Sequence, residues 1–445
     1  MGKAGKTRWV LIGLAVALAA VTGAVAFVKL RRDPARELFA GSLPAWQTAR
    51  SRGVEAGGDA ARALLAAAQR WPAVAAALAT LDAVWPDAEQ CRAAAKAVNR
   101  ALVAAQLPYV VDIQRVGRTP VALSYELVTS VPWRIGDRSV DVLRLRRLDA
   151  LNVELAMYGT TDEGLPVVLL DRIESTLADE LPLMYGQEVV GRARMNALDR
   201  AALAGERAFL EARLGAAELA AAVGDLIQRN KLLAEMSSSF ARVDIRLNPP
   251  DGFALGERWL SRLEGFTELG HSGRAVMLES DLRRLGRADD KLRGSGGSAR
   301  TLAAAVDLMS CSTEAHEARH ALDEEDPVGP PPPALFDAMP NSSSRFIGMA
   351  DSEMRAYLGE LHDAASPPCI TLGKMMRGVY GGYASRTPHF YATVTILRAL
   401  DPDDDSEPAT RLAMLCGLPD AELRRRVAGA WQKLYDYPLP PGKPR

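Results

Sequence analysis

The chain has 445 residues, of which 48% are hydrophobic and 24% are charged, a composition typical of folded domains rather than of disordered chains. This length is too great for one typical core and indicates two folded units. The formal net charge is -1 and we find no motif of interleaved aromatic and basic residues, so we expect no nucleic-acid partner.

An uncharged apolar run covers residues 9–28, close to the N-terminus. A helix of about 20 residues rises about 30 Å, which is the thickness of a bilayer core. Basic residues flank the run on both sides, so charge alone does not orient it. We predict that residues 1–30 are a signal anchor, a transmembrane helix that leaves the main body outside the cytoplasm, in the periplasm or at the cell surface. A signal peptide cleaved near Ala26 is the alternative, and it implies the same location.

Residues 31–240 are predicted to be largely helical, because the chain is rich in Ala, Leu and Arg, which favour helices. Ala-rich runs at residues 60–68 and 73–81 place apolar side chains at helical spacing. Farther along, residues 201–214 and 217–236 are candidates for long amphipathic helices.

A small antiparallel sheet is predicted within this region, at about residues 107–183. Short runs rich in β-branched residues alternate there with turn signals. Gly136-Asp137 has the composition of a hairpin turn between two of these runs. The fold class is therefore predicted to be mainly α with a small antiparallel β component. The predicted strands lie at residues 109–113, 121–128, 140–145 and 167–173.

Residues 241–437 are predicted to form the second unit. Residues 243–247 alternate between polar and apolar side chains, which is typical of a strand. Residues 293–298 have the Gly and Ser composition of a flexible loop. Residues 324–344 are a Pro-rich segment that cannot be regular helix. The last residues, 438–445, are predicted to be a disordered tail.

Four cysteines are present, and none belongs to a CxxC pair, so a cysteine zinc site or a thioredoxin-like motif is not expected. In an exported domain an even number of cysteines permits disulfides. One candidate bridge, Cys311–Cys369, would join two helices near the candidate site described next. The alternative is that Cys91, Cys311, Cys369 and Cys416 are all buried free thiols.

A His-Glu-x-x-His motif is formed by His316, Glu317 and His320. Residues four apart lie on one face of a helix, so two imidazoles in this spacing can bind one metal ion. The intervening glutamate then lies beside the ion, where it can accept a proton from a water molecule. The motif therefore predicts a Zn2+ site with Glu317 as the general base.

The residues that precede the motif predict the helix that this chemistry needs. Apolar residues at spacings of three and four form a stripe that continues into both histidines. The imidazoles are therefore expected to face a core, where burial disfavours their charged form and keeps a nitrogen available to a metal. The stripe consists of Leu302, Val306, Met309, Thr313, His316 and His320.

A catalytic zinc site requires a third protein ligand and an open position. Glu353 is the leading candidate, because it lies on an otherwise apolar stripe of a second predicted helix. A carboxylate in such a place needs a compensating cation, which is either a metal ion or an Arg or Lys partner. The other members of the stripe are Phe346, Ala350, Tyr357 and Leu361.

With these residues the sequence resembles the gluzincins, zinc metallopeptidases that have HExxH on one helix and a glutamate ligand on a later helix. The resemblance covers about residues 316–361 and the helix before them. It implies a zincin-like catalytic domain at residues 241–437, with the two histidines and Glu353 as zinc ligands and Glu317 as the general base. Ser352 stands where familiar members have an asparagine before the glutamate.

The metzincins are the rival family, with the pattern HExxHxxGxxH. Asp326 occupies the last position of that pattern, but Asp323 replaces the glycine at which the chain must turn. We therefore rank Asp326 below Glu353 as the third ligand. Asp323 could instead orient a ligand histidine through a hydrogen bond.

Hydrolysis of a peptide or protein substrate is the predicted reaction. Zinc lowers the pKa of its water toward about 7. Glu317 accepts the proton as this water attacks a carbonyl group, and then passes it to the leaving amine. The oxyanion needs a further donor, for which we select Tyr357 and Tyr383, with Tyr380 and His389 as additional candidates.

Two other functions are compatible with the sequence. One is a non-catalytic envelope binding or scaffold protein in which the HExxH motif is vestigial. The other is a zinc hydrolase that cleaves a non-peptide amide, such as a cell-wall crosslink. Zinc binding that depends on both histidines separates the enzymes from the scaffold, and a substrate screen separates the two enzymes.

Overall fold

The computed structural model describes residues 33–444 apart from eleven short gaps. The predicted signal anchor at residues 1–30 lies outside the described residues. Within the described ranges, no helix combines the length and the apolar composition that crossing a bilayer requires. The gaps are at residues 53, 117–118, 150–158, 163–164, 188–194, 251, 268–276, 326–328, 364, 382–385 and 402–405.

The chain divides into two compact units. The first unit comprises Met1–Val128 and Arg146–Glu154, and the second comprises Thr129–Leu145 and Leu155–Arg445. The boundary predicted near residue 241 lies inside the second unit, because helices before and after this position share one hydrophobic core.

Helices followed by a β-hairpin form the first unit. Its elements are α1 (Pro34–Glu37), a π-helical turn (Leu38–Ser42), α2 (Leu43–Arg52), α3 (Val54–Ala68), α4 (Pro72–Ala83), α5 (Ala88–Ala104), β1 (Tyr109–Val116) and the first part of β2 (Thr119–Ile135). Asp33 and Asp87 cap α1 and α5, because their carboxylates accept hydrogen bonds from backbone N–H groups in the first turn. β1 pairs with β2 in antiparallel register. The helices predicted at residues 60–68 and 73–81 are confirmed as parts of α3 and α4.

Most of the second unit is helical. Its helices are α6 (Leu170–Met184), α7 (Ala197–Leu214), α8 (Ala216–Ala241), α9 (Glu257–Glu264), α10 (Glu279–Asp290), α11 (Gly297–Glu325), α12 (Pro333–Ala338), α13 (Ser344–His362), α14 (Pro368–Tyr380), α15 (Pro388–Leu400), α16 (Pro408–Cys416) and α17 (Asp420–Tyr435). The helices predicted at residues 201–214 and 217–236 are confirmed within α7 and α8. α11 packs against α8 and α13.

A small mixed sheet completes the second unit, with β3 (Arg138–Arg147), β4 (Gly159–Asp162), β5 (Leu165–Leu169), β6 (Gly442–Pro444) and the second part of β2. Gly136, with a φ of 64°, forms the predicted turn between β2 and β3. The strand order is β2-β3-β5-β4, in which β4 is antiparallel to β5 but β3 is parallel to it. The prediction of a purely antiparallel sheet is therefore wrong. The connection after β3 is long enough to bring β5 back in the same direction.

Four predicted segments adopt other conformations. The Pro-rich segment at residues 324–344, predicted not to be regular helix, contains the short helix α12. The strand predicted at residues 167–173 ends at Leu169, where α6 begins. Residues 243–247 follow α8 directly and form turns and irregular structure rather than a strand. The tail predicted to be disordered contributes β6, which pairs antiparallel with residues 133–135 of β2.

Two hydrophobic cores hold α11 and α13. Leu302 and Val306 of α11 are buried in a core shared with α6, α7, α8 and the sheet. Ala350 and Met354 of α13 are buried in a second core, with residues from α12 and from α14 to α17. Each fully buried Leu or Met side chain stabilises the fold by about 1.5–3 kcal/mol, so both helices are firmly held.

One disulfide bond is present among the described residues, and it joins Cys369 to Cys416. It links the first turn of α14 to the last residue of α16. The candidate Cys311–Cys369 bridge is therefore wrong, and so is the alternative of four free thiols. Cys91 and Cys311 are free, and Cys311 Sγ lies 3.5 Å from the Asp307 carbonyl oxygen of its own helix.

Candidate metal centre

Helix α11 places His316 and His320 side by side. Their rings continue the buried stripe of the helix, as the sequence predicts, and their side chains are only 12% and 14% exposed. The two Nε2 atoms lie 3.1 Å apart. Both histidines therefore present the same ring nitrogen to one point.

Helix α13 brings Glu353 to the same point. Ser343 caps the start of this helix, because its hydroxyl accepts a hydrogen bond from the Phe346 N–H. Glu353 Oε2 lies 3.2 Å from His316 Nε2 and 3.6 Å from His320 Nε2. Among the described residues, these three side chains form the one group whose donor atoms converge as metal ligands do.

The spacing of the three donors fits a tetrahedral metal ion. Ligands about 2.0–2.1 Å from zinc in tetrahedral geometry lie roughly 3.3–3.4 Å from one another. The observed separations between His316 Nε2, His320 Nε2 and Glu353 Oε2 are 3.1, 3.2 and 3.6 Å. Glu353 Oε2 is buried, and ring nitrogens of His316, His320 and His389 lie 3.2, 3.6 and 3.0 Å from it. The three atoms therefore surround a common point, and the residues fit a zinc ion.

The electrostatics of the cluster favour a bound cation. Burial opposes ionisation of Glu353, but His316, His320 and His389 outweigh it and hold the pKa of Glu353 far below its usual range. Burial also opposes protonation of His316, yet hydrogen bonds to Glu353 and Glu360 keep the pKa of His316 well above 6.5. The site thus carries excess negative charge that a proton or a metal ion neutralises.

Polar side chains hold the outer nitrogen of each histidine. Glu360 Oε2 lies 3.3 Å from His316 Nδ1, and the Ser352 hydroxyl lies 2.9 Å from His320 Nδ1. The Thr371 hydroxyl donates a hydrogen bond of 2.6 Å to Glu360 Oε1. An acceptor at Nδ1 favours the tautomer that carries its proton on that atom, so that Nε2 can bind a metal once the ring is neutral.

Glu360 and Thr371 were not predicted from the sequence, and Ser352 was noted only as a departure from the gluzincin pattern. A signal for Glu360 is present, because it lies seven residues, or about two helical turns, after Glu353. Thr371 belongs to α14, and its approach to Glu360 depends on how the helices pack.

Contacts with the sheet fix the rotation of α11. Glu314, two residues before His316, is buried and accepts hydrogen bonds from Trp133 and Arg144. The Arg144 Nε to Glu314 Oε1 distance is 2.6 Å. Burial raises the pKa of Glu314, and Arg144 offsets part of this effect. A rotation of α11 would break this buried pair, so the sheet helps to aim the ligand histidines.

The candidate general base, Glu317, is buried, with 6% of its surface exposed. Burial raises the pKa of Tyr357 well above 10, and the negative charges of Glu353, Glu360 and Glu317 raise it further. The charge of Glu317 is therefore close enough to Tyr357 to raise the pKa of its phenol. The phenol stays protonated at neutral pH and can donate a hydrogen bond.

Tyr357 and His389 form the outer side of the cluster. The Tyr357 hydroxyl lies 3.1 Å from His389 Nδ1, and this nitrogen lies 3.0 Å from Glu353 Oε2. The Tyr357 ring centroid is 4.8 Å from that of His316. The His389 side chain is 51% exposed and is not one of the three converging donors. Two of the predicted oxyanion donors thus lie beside the candidate ligands.

The remaining predicted residues are elsewhere or undescribed. Tyr383 and Asp326 lie outside the described residues. Tyr380 ends α14 and is 47% exposed. Burial raises the pKa of Asp323. The Nδ1 atoms of the two candidate ligand histidines, one of which Asp323 could have oriented, contact Glu360 and Ser352 instead.

No protein-family model matches the chain, and no curated protein or solved structure matches it. The function is therefore inferred from the residues of the cluster.

Proposed function

We propose that the protein is a zinc-dependent hydrolase, and specifically a metallopeptidase, with His316, His320 and Glu353 as the zinc ligands. One observation carries this proposal: two imidazole nitrogens and one buried carboxylate oxygen converge at the spacing of a tetrahedral zinc site. Nitrogen and carboxylate donors in this combination suit zinc better than calcium or magnesium, which prefer oxygen ligands.

Three converging donors favour a catalytic site over a structural one. Structural zinc sites are closed by four protein ligands, whereas catalytic sites have three and leave a position open. His389 lies outside the converging group of described residues, although its Nδ1 is 3.0 Å from Glu353 Oε2. We infer that the fourth position is open to water and substrate.

Hydrolysis needs a proton acceptor and an oxyanion donor, and we assign these roles to Glu317 and Tyr357. A zinc ion held by the three ligands would polarise a carbonyl group and lower the pKa of water toward about 7. Glu317 accepts a proton from the attacking water and returns it to the leaving amine. Tyr357, whose high pKa keeps it protonated, donates a hydrogen bond to the carbonyl oxygen as negative charge develops on it. Tyr383 remains a second proposed donor.

Zinc content and turnover together test this function. The purified chain should bind one zinc ion, and His316→Ala or His320→Ala should abolish stoichiometric binding. Glu317→Gln should retain zinc but lose most hydrolysis of a quenched fluorescent peptide library. A chain that stays metal-free in zinc-containing buffer would instead support a non-catalytic scaffold protein. Zinc binding without cleavage of any peptide would direct the search to other amides.

We further propose that residues 1–30 anchor the protein in a membrane, with the body outside the cytoplasm. The support is the uncharged run at residues 9–28, which is long enough to span a bilayer core. Expression with and without residues 1–30, followed by membrane fractionation and protease protection, tests this. Equal recovery of both forms in the soluble fraction would contradict it.

A further inference from the structure

The last described residues, 435–444, run from the end of α17 to the sheet, and we call them the C-terminal strap. Along this course the strap contacts both helices that carry the candidate zinc ligands. Leu439, in its middle, is buried in the core that holds α13. The strap is therefore packed into the unit rather than lying loosely on it.

The first part of the strap holds α13. The Tyr435 hydroxyl donates a hydrogen bond of 2.8 Å to Asp351 Oδ1, and Arg355 Nη1 lies 3.5 Å from the Tyr437 hydroxyl. Asp351 and Arg355 are buried and paired with each other at 2.9 Å. They lie two residues before and two residues after Glu353. The strap thus contacts the helix on both sides of the candidate ligand.

The middle of the strap holds α11. Arg319, inside the HExxH motif, is 4% exposed, and its Nη2 donates a hydrogen bond of 3.0 Å to the Pro440 carbonyl oxygen. The Arg319 side chain passes closely over α13 at Gly359, where an added Cβ would lie 2.7 Å from Arg319 Nε. A buried guanidinium needs such an acceptor, so the hydrogen bond to the strap stabilises the position of Arg319 and, through it, that of α11.

The end of the strap is fixed to the sheet. β6 pairs with residues 133–135 of β2, and Trp133 donates a hydrogen bond to Glu314 of α11. The strap also approaches the end of α13, because a Cβ on Gly442 would lie 2.5 Å from Asp363 Oδ2. One continuous segment therefore connects α13, α11 and the strand on which α11 rests.

We infer that the C-terminal strap is a positioning element that sets the spacing of α11 and α13, so that zinc affinity depends on the C-terminal end of the chain. The part of this inference that concerns zinc affinity rests on the proposed function. The donors converge from two helices, and a relative shift of these helices moves Glu353 Oε2 away from both imidazoles. Arg319 is the positioning residue through which the strap acts on α11.

A truncation that ends at Leu439 tests the inference in the otherwise complete chain, and Gly442→Ala is a milder variant for use if the truncation does not fold. Leu415→Ala, in the core that holds α13, is the control, because it removes buried contacts of α16 and leaves every residue of the strap in place. Two readouts are compared: the zinc Kd from chelator competition, and hydrogen exchange of α11 and α13 in zinc-free protein.

The truncation should raise the zinc Kd by about 10- to 100-fold and speed hydrogen exchange in α11 and α13. Leu415→Ala should lower Tm but leave the zinc Kd within about twofold of that of the unmodified chain. An unchanged Kd and unchanged exchange in the truncation, or in Gly442→Ala if that is the folded variant, would overturn the inference. If the full chain binds no zinc, the proposed function fails. The exchange rates of α11 and α13 alone then decide whether the strap positions the helices.

Discussion

Glu360→Gln isolates the contribution of charge to the orientation of His316. Glu360 is 4% exposed, with Oε2 at 3.3 Å from His316 Nδ1 and Oε1 accepting a hydrogen bond from Thr371. A glutamine has the same shape, and its amide oxygen can still accept from His316 Nδ1. Its NH2 group can donate to the Thr371 hydroxyl, which is also an acceptor. The substitution therefore preserves the hydrogen bonds and removes only the negative charge.

The expected loss of zinc affinity follows from this geometry. Changes to the residues that orient a metal-ligating histidine cost about 10- to 100-fold in metal affinity, or about 1.4–2.7 kcal/mol. Glu360→Gln keeps the hydrogen bond, so we expect an increase in Kd near tenfold. Glu360→Ala loses the bond and leaves His316 Nδ1 without this acceptor, so we expect an increase nearer 100-fold.

Competition with a chromophoric chelator at fixed pH measures the zinc Kd of Glu360→Gln and that of Glu360→Ala. Glu422→Gln on α17 is the matched control, because that glutamate pairs with Arg425 and Arg426 at the surface. Its zinc Kd should equal that of the unmodified chain. A Glu360→Ala protein that folds normally and binds zinc with unchanged affinity would refute the assigned role of Glu360.

Four further tests concern the pH dependence of zinc binding, Ser352, Glu317 and the disulfide. Protons compete with zinc for His316, so zinc affinity should fall as pH is lowered below the raised pKa of His316, by about tenfold per pH unit for each proton displaced. A zinc Kd that does not change between about pH 8 and pH 6 would contradict this competition. Ser352→Ala should raise the zinc Kd by about tenfold, because His320 Nδ1 loses its partner, and competition titration checks it. Glu317→Gln should lower kcat by about 100-fold or more with an unchanged zinc Kd, and an active variant would exclude Glu317 as the base. Reduction of Cys369–Cys416, which encloses a loop with a sequence separation of 47, should destabilise the fold by up to about 4 kcal/mol, measurable by denaturant unfolding with and without reductant.

Periodicity identified the helices that matter, because the apolar stripe of each is a local property of the sequence. The stripe from Leu302 to His320 predicts both the existence of α11 and the side of it that is buried. The sheet was less predictable. That β3 and β5 pair in parallel, and that the last residues add β6, depends on contacts between distant segments. Alternation at residues 243–247 resembles a strand, but these residues lie directly after α8 and do not extend into one.

The candidate ligands could be selected from the sequence, because a helical turn separates the histidines and Glu353 is an acid on an apolar stripe. The convergence of their donor atoms could not be predicted from the sequence, since it depends on how α13 packs against α11. The same limitation explains the disulfide. Cys311 and Cys369 are near the candidate helices in sequence, yet packing places Cys369 beside Cys416 of α16.

Zinc-edge anomalous diffraction from crystals of the zinc-loaded protein tests the central claim most directly. We predict one strong anomalous peak about 2.0–2.2 Å from His316 Nε2, His320 Nε2 and Glu353 Oε2, with an open fourth position. A peak elsewhere, or fully loaded crystals in which Glu353 does not contact the metal, would contradict the proposed site.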